Sequence, residues 1–67
     1  MVDQDAVLRA LAELPAKMRA VLVLRFFDDL TEGQTAAALG CGTGTVKSQT
    51  SRGLARMRDL MKVEVAR

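Results

Sequence analysis

Between Thr31 and Arg58 the chain reads TEGQTAAALGCGTGTVKSQTSRGLARMR, and this stretch restricts the fold more than any other. Thr31, with Gln34 three residues on, makes the capping-box pattern of a helix start. The alanine-rich run Ala36, Ala37, Ala38, Leu39 then stops at Gly40, a residue suited to the left-handed conformation that closes a helix. Shortly afterwards Gly42 or Thr43 can cap a further helix, which the pattern extends to about Lys62. Alanines let a neighbouring helix approach closely, so the two helices can meet across a tight turn. The layout expected over about residues 31–62 is a helix-turn-helix.

Upstream, Val7, Leu8, Leu11 and Leu14 recur at helical spacing behind acidic residues, which predicts a first helix from Asp3 to Leu14. Pro15 suits the opening turn of a second helix, Ala16 to Phe27. Its apolar residues Met18, Val21, Leu22, Leu24 and Phe26 spread too widely for one stripe, so this helix is expected at the centre of the domain. Asp28-Asp29-Leu30 breaks the periodicity; the two acids read as turn and hydrogen-bonding residues, with Arg25 as a partner. The tail from Val63 to Arg67 is expected to fray. The chain has no Trp or Tyr, and Phe26 and Phe27 are its only aromatics, so Leu, Val, Met and Ala must build the core. That palette favours packed helices over strands. The expected fold class is all-α: one small four-helix domain over residues 1–67 with a C-terminal helix-turn-helix. A chain this short buries only roughly 60% of its unfolded surface, so its stability is marginal.

Several function classes drop out. There is no His, no second Cys and no acidic cluster at metal-ligand spacing. The glycine-rich run Gly40-Cys41-Gly42-Thr43-Gly44 lacks the lysine and the preceding strand of a nucleotide loop. The expectation is therefore a protein without a catalytic site, metal or cofactor. Cys41 is the sole cysteine and reads as a small turn residue; with no internal disulfide and no membrane-spanning or signal pattern, a cytoplasmic setting fits. Charge is split along the chain. Residues 1–40 carry four cationic and six acidic side chains, a net −2, whereas residues 41–67 carry six and two, a net +4. A basic C-terminal half suits a polyanionic partner, although a solvated helix face would also account for it.

Placing the last helix at about 100° per residue separates two faces. Val46, Thr50, Leu54, Met57 and Met61 fall in one arc of about 80°, the expected core side. Thr45, Ser48, Gln49, Arg52 and Arg56 fall in another of about 100°, with Lys47, Ser51 and Arg58 flanking it. As far as Arg58 that second arc holds hydrogen-bonding and cationic groups and no acid. Arg can donate to a guanine edge in two bonds, Gln can pair with adenine, and Ser or Thr can serve base or phosphate. Lys47 and Arg58 are placed for phosphates, as are the amides near Gly44 and Thr45 at the helix start. The face therefore fits DNA reading in the major groove.

These residues resemble domain four of a bacterial sigma factor of the extracytoplasmic-function (ECF) group. The resemblance covers about residues 8–61 and rests on Leu14-Pro15, Arg19, Val21-Leu22, Leu24-Arg25-Phe26-Phe27 with Asp29-Leu30, then Ala37, Leu39-Gly40-Cys41 and Gly44-Thr45-Val46-Lys47-Ser48 with Arg52 and Leu54. The run Val46 to Arg52 looks most like actinobacterial members. The resemblance implies that the chain reads the promoter −35 element and docks on the β flap of RNA polymerase core, with an anti-sigma factor as a further partner. It places the base-reading positions at Ser48, Ser51 and Arg52, with Lys47, Gln49 and Arg56 near the backbone or adjacent bases. Position 49 is often basic in that family and position 51 often bulkier, so promoter preference does not carry over to Gln49 and Ser51. Gly42 replaces a common Ser, which implies a weaker cap. A complete factor also has a domain that melts DNA, so the resemblance implies an excised piece. Two other readings stand beside it. One is the DNA-binding domain of a LuxR-type response regulator, which shares Thr-Val-Lys. The other is a docking module for polymerase or an anti-sigma factor with little DNA affinity of its own, which an exposed apolar groove would favour.

Overall fold

The computed structural model describes the backbone of residues 3–65 and the side chains of residues 3–61. Every regular element among the described residues is helical: α1 (Gln4–Ala12), α2 (Ala16–Leu22) running on into a π-helical turn (Val23–Phe27), α3 (Glu32–Leu39) and α4 (Thr43–Val65). No helix among them is long and apolar enough to cross a membrane.

Asp3 caps α1 by accepting from the Asp5 N–H at 3.2 Å. The helix closes at Ala12, two residues before the expected Leu14. There the Arg19 Nη1 donates to the Ala12 carbonyl at 3.1 Å and the Leu14 carbonyl at 3.3 Å. An α2 side chain thus satisfies carbonyls that a helix end leaves without partners. The inner side of α1 is Ala6, Ala10 and Leu11, continued by Leu14; Leu8, expected inside, is 47% exposed.

Helix α2 contributes to two parts of the core, and α4 is the helix that packs against α1, α2 and α3 alike, in place of the central α2 that was expected. Its adjacent residues Val21 and Leu22 are both buried, and they point into different clusters. Leu22 joins Leu11 and Leu14, with Val7, Met18, Val23, Met57 and Leu60 around them. Val21 joins Ala36 and Val46, with Leu39 and Cys41 against them. The helix reaches Phe27 as expected, but its last turn widens: the Asp28 N–H bonds the Val23 carbonyl at 3.1 Å, five residues back. The widened turn leaves Phe26 and Phe27 about half exposed, which corrects the placement of Phe26 in the interior.

Asp28 and Asp29 do form the turn, and Asp29 takes the left-handed conformation at φ 57°, which a short polar side chain tolerates. Arg25, however, pairs with neither acid. Its Nη1 donates to the Leu30 carbonyl at 2.6 Å, and its guanidinium carbon stands 5.6 Å from the Phe26 ring centroid. The capping box at α3 is complete: the Gln34 N–H donates to Thr31 Oγ1 at 3.0 Å, and the Thr31 N–H to Gln34 Oε1 at 2.9 Å. Gly40 closes α3 at φ 69°, with bonds from the Cys41 N–H to the Ala36 carbonyl and from the Gly40 N–H to the Ala37 carbonyl. This is the Schellman arrangement.

Candidate nucleic-acid interface

Helix α4 begins where the sequence placed it. The Val46 N–H bonds the Gly42 carbonyl at 3.2 Å, which makes Gly42 the cap residue. The helix runs to Val65, three residues beyond its expected end at Lys62; the remainder of the tail expected to fray, residues 66–67, lies outside the described residues. A side chain added at Gly42 or Gly44 would meet open space.

The rotation of α4 differs from the periodicity reading. Val46 is fully buried and Gly53 is buried, with Thr50, Met57 and Leu60 partly so. Leu54, expected as a core anchor, is 47% exposed, and Met61 is half-buried. The centre of the inward stripe is thus shifted by about 40° from the expected one. Gly53 belongs to that stripe: a Cβ there would stand 2.9 Å from Leu22 Cδ1 and 3.0 Å from Met18 Cγ, so α4 packs directly on α2 side chains at this glycine.

With the helix so turned, Thr45, Lys47, Ser48, Ser51, Arg52, Arg56 and Arg58 are all exposed, while Gln49 is half-buried toward the core side. One helix therefore presents seven of the eight sequence-identified residues freely to solvent. Four cations and no acid lie between Thr43 and Arg58. The arrangement offers hydrogen-bond donors and positive charge to an anionic groove, and the described residues contain no group of His, Cys, Asp or Glu that could hold a metal ion.

A family model described as Sigma-70, region 4 matches residues 4–57. The chain belongs to this family. It is 44% identical over 57 residues to an RNA polymerase sigma-E factor of Streptomyces antibioticus, covering 85% of this chain and 32% of that protein. It is 42% identical over 62 residues to the RNA polymerase sigma factor SigF of Mycobacterium tuberculosis, covering 91% of this chain and 24% of the relative. For the ECF RNA polymerase sigma factor SigD of Mycobacterium bovis the identity is 41% over 61 residues, covering 87% and 29%. This region-4 chain therefore spans about a third of the length of the first relatives. The match selects the sigma-factor reading over the response-regulator one.

Periodicity missed two features of the region-4 surface. Pro15 and Met18, from the start of α2, border a recess together with Arg52, Ala55 and Arg56. On another side, Leu54 and Met57 meet Val7, Leu11, Phe26 and Phe27 around an apolar groove of about 170 Å³. The adjacent Phe26-Phe27 pair was the available signal for the groove, because neighbouring helical residues point about 100° apart and two large rings at a helix end need apolar cover on both sides.

Proposed function

We propose that this chain reads the −35 promoter element as region 4 of an actinobacterial-type ECF sigma factor, laying α4 in the major groove during transcription initiation. The observation that carries the proposal is the exposed face of Thr45, Ser48, Ser51 and Arg52, free of acids as far as Arg58, on the second helix of a helix-turn-helix in a chain of the sigma-70 region 4 family. Lys47, Arg56 and Arg58 meet phosphates, supplying most of the affinity and a strong salt dependence. Ser48, Ser51 and Arg52 supply base selectivity, and Gln49, being half-buried, contributes at the edge. The work is binding, not catalysis, and its setting is the cytoplasm.

The apolar groove supports a second role for the same domain. Leu8, Phe26, Phe27 and Leu54 are each about half exposed, far more apolar surface than the DNA face needs. We assign this side to docking on RNA polymerase core at the β flap, a surface that an anti-sigma factor would cover in competition.

Selection from a randomised duplex pool across a salt series tests the reading. The expected result is one enriched motif and a steep loss of affinity with salt. Arg52→Ala should then reduce discrimination between that motif and a scrambled duplex by about 1–3 kcal/mol. Salt-sensitive binding with no motif would remove autonomous sequence reading and leave docking as the domain's own activity.

A further inference from the structure

We infer that the junction between α1 and α2, outside the helix-turn-helix, is a positioning element for the DNA-facing arginines; the inference rests on the role proposed above for Arg52. A recess of about 350 Å³ lies between the start of α2 and the middle of α4, bounded by Pro15, Met18, Arg52, Ala55 and Arg56. Arg52 and Arg56 are exposed overall, yet both wall this recess. The methylene stem of an arginine settles on apolar surface while its guanidinium stays in water. Pro15, Met18 and Ala55 are the apolar part of its wall, and we assign them as the shelf for the two stems.

The shelf is itself held in place. Pro15 sits at φ −54° at the head of α2, and Met18 stands against α4 where Gly53 leaves room. The Arg19 guanidinium ties the turn down through the Ala12 and Leu14 carbonyls. Ala55 keeps the floor low, because any longer side chain there would occupy the space beside the stems. An arginine whose stem is seated before binding loses less rotamer freedom when its head group meets a base. The shelf therefore sets where the guanidinium heads reach, which governs selectivity, and leaves the charge that governs general affinity unchanged. Arg58, exposed and not bordering the recess, lacks this support.

Two measurements on the 67-residue chain test this. In the DNA-free protein, nitrogen-15 relaxation at the arginine Nε positions should show Arg52 and Arg56 more ordered than Arg58; equal mobility at all three overturns the shelf whatever DNA does. Next, Ala55→Met fills the recess with a good helix former and retains every cation. Binding to a scrambled duplex and its salt slope should stay unchanged, while preference for the selected motif falls about tenfold. A variant with the parent's helical signal and melting transition that keeps its preference overturns the inference. Should Ala55→Met not fold, Pro15→Ala carries the same readouts. Failure of the underlying DNA assignment shows separately, because Arg52→Ala would then discriminate as the parent does; that result also overturns the positioning role.

Discussion

The two sides of α2 are built differently, and the difference follows the partner each side would meet. On the helix-turn-helix side, Val21, Ala36 and Val46 make a compact cluster of small residues beneath a polar outer surface. Its geometry is held mainly by local devices: the Thr31–Gln34 box, the left-handed Gly40 and the Gly42 cap. On the other side, Leu11, Leu14 and Leu22 make a cluster of longer side chains from α1, the α1–α2 connector and α2, with Met57 and Leu60 of α4 packed against them. Its outer surface stays apolar at Leu8, Phe26, Phe27 and Leu54. A rigid, shallow frame suits a helix that must hold hydrogen-bonding groups at a set angle to base edges. A larger core that leaves apolar groups outside suits a surface that another protein completes. Neighbouring residues of one helix, Val21 and Leu22, couple the two, so neither side can repack without the other.

The strongest attempt to break this picture is Leu22→Ala. Leu22 is 3% exposed and touches both the α1 cluster and the close approach at Gly53. We expect a loss of roughly 2–5 kcal/mol, measured by denaturant unfolding, with helix-turn-helix and α1 signals lost in one transition. Two separate transitions would show that the clusters do not depend on each other. Gly53→Val tests the seam directly: its branched side chain collides with Leu22 and Met18, and we expect roughly 1–3 kcal/mol of destabilisation. A variant as stable as its parent would mean that the helices separate there without loss.

Leu54→Ala sharpens the comparison by separating stability from docking. Because Leu54 is half exposed, its truncation should lower stability by only about 1 kcal/mol, while binding to RNA polymerase core weakens clearly in a pull-down or titration. A large stability loss with docking intact would return Leu54 to the core. The smallest effect belongs to the cap. Gly42 has open space around it, so Gly42→Ser should add a few tenths of a kcal/mol, seen as a modestly higher melting temperature. A lower melting temperature would show that the cap needs the freedom of glycine.

What was legible in the sequence is what depends on neighbours along the chain. A capping box needs only Thr31 and Gln34, a left-handed stop needs only a residue such as Gly40, and a helix stretch without acids from Thr43 to Arg58 can be counted directly. Those local rules placed α3, the turn and the start of α4 within a residue, and with them the all-α fold. Periodicity also found seven polar residues that α4 exposes, with Gln49 half-buried instead. Other decisions belonged to the tertiary structure. The rotation of α4 brings Gly53 against Leu22 and Met18, and a glycine adds no weight to an apolar pattern, so Leu54 was counted inside. The widened turn at Val23–Phe27 turned Phe26 and Phe27 outward, and Arg25 found the Leu30 carbonyl in place of an acid. Each of these depends on which atoms meet across the core, and packing between distant segments leaves no periodic trace in the chain.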